Sequence, residues 1–97
     1  MIKIINIGMN HETAPLALRE CLAQEPANTG RALAAMRDLT CIKEGLFLST
    51  CNRVEALLTT ETAPEAKRSM TDLLSRMGGV SEDTLSSALF VFEDVVL

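Results

Sequence analysis

Near the start of the chain, Ile2, Ile4, Ile5 and Ile7 put β-branched residues on both sides of a period-two pattern that ends at Gly8. This predicts a strand lying inside a sheet. The polar stretch Gly8-Met9-Asn10-His11-Glu12-Thr13-Ala14-Pro15 follows as a loop, with Pro15 suited to begin a helix. Leu18 and Leu22, four residues apart, predict a short helix over 16–22, and Gln24-Glu25-Pro26 breaks it. A second helical piece spans roughly 28–38, with Leu33, Met36 and the flanking alanines on one side and Gly30 weakening its start. Leu46-Phe47-Leu48 has the look of a short buried strand. Val54, Ala56 and Leu58 then alternate with Glu55, Leu57 and Thr59, which predicts a second strand after a turn. Thr62-Ala63-Pro64-Glu65 opens the most regular helix, in which Ala66, Met70, Leu73, Leu74 and Met77 keep helical spacing until Gly78-Gly79. Ser81-Glu82-Asp83 caps a further short turn, and Leu89-Phe90-Val91-Phe92 reads as a last strand, apolar on both faces.

The order β, α, β, β, α, β is that of the ferredoxin-like split βαβ plan. The predicted fold class is therefore α+β: a four-stranded antiparallel sheet with helices on one face, forming a single domain over residues 1–97. Trp and Tyr are absent, so the core must be aliphatic. No apolar run reaches the ~18 residues of a membrane span, and the N-terminus lacks the basic-then-apolar pattern of a signal peptide. Three cysteines at irregular spacing argue against a disulfide framework and for a reducing cytoplasm. The net charge of −4, with no Lys/Arg cluster, means that any grip on nucleic-acid phosphates must come from elsewhere. The last residues, Val95-Val96-Leu97, are apolar and follow an acidic pair. That ending suggests a fragment cut where the next element begins.

Candidate chemistry concentrates in Cys51-Asn52-Arg53, where a tight hairpin would more naturally carry Asn-Gly. Two readings of Cys51 are open from these residues: a small buried thiol at a strand end, or a nucleophile whose thiolate a neighbouring Arg favours. In a regular strand Arg53 would point to the same side as Cys51. It suits a bidentate pair with a substrate carboxylate, or else a surface pair with Glu55 or Glu44. His11, the only histidine, is a loop residue or a catalytic base. A metal site from His11, Cys21, Cys41 and Cys51 lacks the close ligand spacing of zinc, so no metal is expected, and Cys21 and Cys41 are packing residues.

Two long stretches go further than composition. The segment from Gly8 to Pro15 with Arg19-Glu20, followed some thirty residues later by Ser49-Thr50-Cys51-Asn52-Arg53-Val54-Glu55, resembles the N-terminal domain of glutamyl-tRNA reductase. The resemblance runs over essentially the whole chain and implies the same ferredoxin-like fold. It further implies that Cys51 attacks the ester carbonyl of glutamyl-tRNA to form a thioester, which NADPH reduces to glutamate-1-semialdehyde on the way to tetrapyrroles and haem. Thr50, Asn52 and Arg53 would line the glutamyl pocket, and His11 would help to shape it. NADPH belongs to the full-length enzyme and is not expected to bind this fragment, which has no G-x-G-x-x-G. The implied partners are glutamyl-tRNA, with most tRNA contacts elsewhere, a second subunit through a C-terminal domain, and the next enzyme of the pathway; no membrane is implied.

The chain departs from the family at Ala56-Leu57, where a β-branched residue or Leu followed by Tyr is usual. The family's His-Leu-Phe/Met-Arg segment would fall beyond Leu97. The competing readings are a non-catalytic ferredoxin-like binding module or reductase-like paralogue, which an intact Cys51-Asn52-Arg53 argues against, and a thiol hydrolase, which lacks a second well-placed base.

Overall fold

The computed structural model describes residues 1–23, 26–50 and 52–96. The elements run β1 (Ile2–Asn10), α1 (Leu16–Ala23), α2 (Pro26–Arg37), β2 (Glu44–Ser49), β3 (Arg53–Thr60), α3 (Ala63–Gly78), α4 (Glu82–Ser86) and β4 (Phe90–Val96). The four strands form one sheet in the order β2-β3-β1-β4, and every adjacent pair is antiparallel. This is the predicted α+β architecture with β1 central. The split βαβ unit appears in it as β3 lying between β1 and β2.

Strand parity decides where the core sits. Ile5, Ile7 and Met9 of β1, Val54, Ala56 and Leu58 of β3, and Phe47 of β2 are buried on one face. Against them pack Leu18 of α1, Ala32 and Met36 of α2, Ala66, Met70, Leu73 and Leu74 of α3, and Leu85 of α4. The other face carries Ile4, Leu46, Leu57 and Phe92, all exposed. This changes the reading of two strands. Leu46-Phe47-Leu48 is an edge strand that buries only Phe47, with Leu46 52% exposed, and β4 is the opposite edge, with Phe92 66% exposed. Apolar residues on both faces marked a central position correctly for β1 alone.

Helix boundaries follow local chemistry. Pro26 is the first residue of α2, where a missing N–H costs nothing; the break therefore starts the second helix two residues earlier than the pattern suggested. Gln24 and Glu25 lie outside the described residues. Gly79 ends α3 with φ +65, a left-handed conformation that glycine adopts without strain, and its N–H bonds the Ser75 carbonyl. The Ser81 hydroxyl accepts from the Thr84 N–H and caps α4. β4 continues past Phe92 to Val96, pairing Val96 with Ile2 and Val95 with Lys3, so the acidic pair and the aliphatics after it belong to the strand. Glu93 in that strand is held at a pKa of about 2, first by a hydrogen bond from Lys3 and then by one from Lys67 of α3. Among the described residues no helix is long and apolar enough to cross a membrane.

Gly8 controls how closely β1 and β3 approach. A Cβ at this position would stand 2.2 Å from the Val54 carbonyl oxygen and 2.9 Å from the Glu55 Cα, and both of those atoms are backbone. Neither can turn aside as a side chain would. Gly8→Ala should therefore destabilise the fold by about 1–3 kcal/mol, read as a lower midpoint in urea denaturation. An unchanged midpoint would mean that β3 moves away freely.

Candidate active site

The first signature stretch leaves β1 through a turn that its own side chains hold. Asn10 Oδ1 accepts from the backbone N–H groups of Glu12 (2.8 Å) and Thr13 (3.1 Å). The Thr13 hydroxyl accepts from the Asn10 N–H at 2.9 Å, and the Asn10 carbonyl accepts from the Ala14 N–H at 3.0 Å. Short polar side chains bonding backbone two and three residues on are what fix such a turn. Arg19, buried in α1, donates from Nε to the Ala14 carbonyl at 3.3 Å and ties the turn to the helix behind it. His11 stands on this turn, its side chain 66% exposed and its Nε2 3.9 Å from Glu12 Oε1. The shape of this segment thus rests on Asn10, Thr13 and Arg19, and His11 is carried by them.

The second stretch makes the β2–β3 turn, and Thr50 organises it. Its N–H donates to the Arg53 carbonyl at 2.8 Å, while its hydroxyl oxygen accepts from the N–H groups of Asn52 and Arg53, both at 3.2 Å. The turn contains no glycine, and Thr50, Asn52 and Arg53 all keep negative φ, Gly79 being the only described residue with positive φ. The Thr50 hydroxyl accordingly does the work that Asn-Gly does in a tighter hairpin. Cys51 lies outside the described residues. β3 begins at Arg53, and the expectation that Arg53 points to the same side as Cys51 lies outside the described residues.

Strand register brings the two turns together. Asn10, the last residue of β1, pairs with Arg53, the first of β3. An open depression of about 510 Å³ at this junction is lined by Asn10, His11, Thr50, Asn52 and Arg53. Four of the residues singled out from sequence, His11, Thr50, Asn52 and Arg53, therefore border one space although about forty positions separate the stretches. Arg53 also makes the alternative contact: its Nε is 3.2 Å from Glu55 Oε2, the Arg side chain being 54% exposed and the Glu 17%. Glu44, the other candidate partner, lies at the far end of β2, paired with Thr59. Cys21 in α1 and Cys41 are both half-buried free thiols, and Cys41 packs against the core. Among the described residues no three His, Cys, Asp or Glu side chains form a group that could hold a metal ion.

Asn10, Thr13 and Arg19 belong to the first signature stretch, but the motif does not show what each of them does. Asn10 and Thr13 carry an Asn-x-x-Thr spacing whose mutual backbone bonding is a recognisable turn signal. Arg19 shows only as a charged residue in an apolar helix face, and its burial becomes visible once the Ala14 carbonyl is placed beneath it.

The family model described as glutamyl-tRNAGlu reductase, N-terminal domain, matches residues 7–95. A glutamyl-tRNA reductase of Solibacter usitatus is 38% identical over 92 residues, covering 95% of this chain and 22% of that protein. Another, from Syntrophus aciditrophicus, is 37% identical over 91 residues, covering 90% of this chain and 21% of that protein. The chain thus spans about a fifth of the length of the curated relatives it matches. Among solved structures, the cofactor-independent oxygenase SnoaB from Streptomyces nogalater overlays 98% of this chain and 91% of its own with a TM-score of 0.43 at 11% identity, too weak a likeness to bear on fold or function.

The turn geometry makes a prediction about Thr50. Thr50→Val keeps the side-chain shape and removes the acceptor, and should cost about 1 kcal/mol while shifting the amide resonances of Asn52 and Arg53. Thr50→Ser should stay close to the parent protein in both measurements. Equal behaviour of the two variants would show that the hydroxyl does not hold the turn.

Proposed function

The chain belongs to the glutamyl-tRNA reductase family as its N-terminal domain, and from that premise we propose that it carries the nucleophile and the glutamyl pocket of that enzyme. The observation that supports this most is the single depression bordered by Asn10 and His11 from one signature and by Thr50, Asn52 and Arg53 from the other. In this reading the Cys51 thiolate adds to the ester carbonyl that joins glutamate to tRNA. The carbon–oxygen bond to the terminal ribose then breaks, the ribose oxygen leaves and takes up a proton, and the glutamyl group stays on sulfur as a thioester.

The physical sense lies in dividing one hard reduction into two easier steps. A thiolate is a strong nucleophile, and a thioester carbonyl accepts a hydride more readily than an ester does. Arg53, with a planar fork of donors, suits a carboxylate of the glutamyl group. Asn52 adds amide donors and an acceptor beside it, and the Asn10–Thr13 turn presents His11 at the same rim. Arg53 and His11 are the only cationic or titratable groups among the described residues bordering the depression, which fits an acidic substrate group.

Reduction of the thioester needs a hydride donor, NADPH by the family likeness. These residues do not fit one, since the chain contains no G-x-G-x-x-G turn leading from a strand into a helix. The chemistry assigned to this chain therefore ends at the thioester. The tRNA body, with its dense phosphate charge, likewise finds no basic face on a chain of net charge −4. Its main contacts, the second subunit and the next enzyme of the pathway belong to the rest of the protein, and the cytoplasm is the compartment that suits three cysteines without a disulfide framework.

Substitutions in the full-length protein test this assignment. Cys51→Ser should abolish NADPH-dependent reduction of glutamyl-tRNA, because a Ser hydroxyl, unlike a thiol, does not ionise to any useful extent near neutral pH. Arg53→Lys keeps the charge and loses the fork, and should lower kcat/KM roughly thirty- to a thousand-fold, equivalent to about 2–4 kcal/mol, with little change in melting temperature. Near-normal turnover by Cys51→Ser would sink the mechanism. Wild-type kinetics in Arg53→Lys, or a melting temperature that falls in step with activity, would return Arg53 to a structural role.

A further inference from the structure

Asn6 interrupts the isoleucines of β1 on the face of the sheet away from the helices, between Ile4 and Gly8. Its Nδ2 donates to Glu55 Oε1 at 2.9 Å. The contact is diagonal, because the residue directly opposite Asn6 is Leu57, while Glu55 stands opposite Gly8. Glu55 can lean across β1 only because Gly8 has no side chain there: a Cβ at Gly8 would come to 3.0 Å from Glu55 Cγ. The second Glu55 oxygen, Oε2, lies 3.2 Å from Arg53 Nε. Asn6, Glu55 and Arg53 are thereby linked in a line that runs along the open face towards the depression, with both carboxylate oxygens of Glu55 engaged.

The amide comes with a penalty that reveals what it is kept for. Asn6 Oδ1 is buried and has no hydrogen-bond partner among the described residues. A buried acceptor without a donor opposes folding, and an aliphatic residue at the same place in a strand would avoid the loss. The donor is the useful half of the side chain. It restrains Glu55, whose grip on Arg53 would otherwise be an exposed ion pair of little consequence. Among the described residues only Glu55 is paired with the Arg53 guanidinium, and the pair is made at Nε.

We propose that Asn6 is a positioning residue: by holding Glu55 it fixes the Arg53 guanidinium at the rim of the depression, pre-oriented for a substrate carboxylate. The proposal rests on the reading of Arg53 as the carboxylate-binding group. It adds a residue outside both signature stretches. It also gives Gly8 a second task, that of leaving room for Glu55 to reach across. Pre-orientation acts on binding, because a planar fork already in place loses less freedom when it meets its partner.

The test uses Asn6→Val in the full-length protein, with Glu55→Gln as the second variant. Asn6→Val should leave the melting temperature unchanged or raise it, since it removes the unpartnered acceptor. It should lower kcat/KM for glutamyl-tRNA roughly three- to tenfold, carried by KM and not by kcat. Asn6→Val added to Glu55→Gln should have little further effect, as expected for residues acting through one another. A second readout needs no turnover: modification of Arg53 by phenylglyoxal, located by peptide mass, should become several-fold faster in Asn6→Val as the guanidinium is released. Unchanged Arg53 reactivity overturns the proposal, as does unchanged KM in a protein that turns over, or additive losses in the double variant. If the parent protein shows no reductase activity at all, the functional reading fails, while the Arg53 reactivity still decides whether Asn6 positions it.

Discussion

The antiparallel register between β1 and β3 is the constraint on which the rest of this structure depends. It sets Asn10 of the first signature stretch opposite Arg53 of the second. A slip of one residue would turn Ile5, Ile7 and Met9 away from the helices and lose the core they build with Val54, Ala56 and Leu58. The hydrophobic pattern that forms the core is therefore the same device that assembles the candidate site. Gly8 tightens the pairing at the point where it matters, two residues before the turn, by allowing β3 to come closer than any side chain there would permit.

On this frame the two turns hold their shape by local bonding. Asn10 and Thr13 close one, Thr50 closes the other, and Arg19 ties the first to α1. Each polar side chain engaged in this way spares the site the flexibility that a loop would otherwise bring to it. The residues left facing the depression, His11, Asn52 and Arg53, then have their backbones fixed from beneath. Several conspicuous members of the two signatures are consequently structural in their direct contacts. Gly8, Asn10, Thr13, Arg19 and Thr50 shape the backbone from which their neighbours project.

Much of the fold was legible in the chain because its patterns are regular. The alternation of Val54, Ala56 and Leu58, the helical spacing from Ala66 to Met77 and the stop at Gly78-Gly79 all state their structure locally. The edge strands were not legible in the same way. Leu46 and Phe92 look like core residues by composition, and only the sheet order reveals that they occupy a face on which no helix packs. That residues of the two signatures would border one depression could be anticipated from the chain, whereas the way each is held could not. Thr50 as a turn-former, Arg19 as an anchor and Asn6 as a support for Glu55 depend on hydrogen bonds between atoms that sequence does not place side by side.

In the proposed reaction one thiol, that of Cys51, takes the glutamyl group from tRNA. It can be tested at a single step, before any reduction. The full-length protein would be mixed with glutamyl-tRNA in the absence of NADPH, quenched in acid and digested, and the glutamyl adduct located by mass spectrometry among peptides carrying Cys21, Cys41 and Cys51. The expected result is an adduct on Cys51, labile to hydroxylamine as a thioester is. An adduct on Cys21 or Cys41, or tRNA released with no glutamyl group on any of the three, would contradict it.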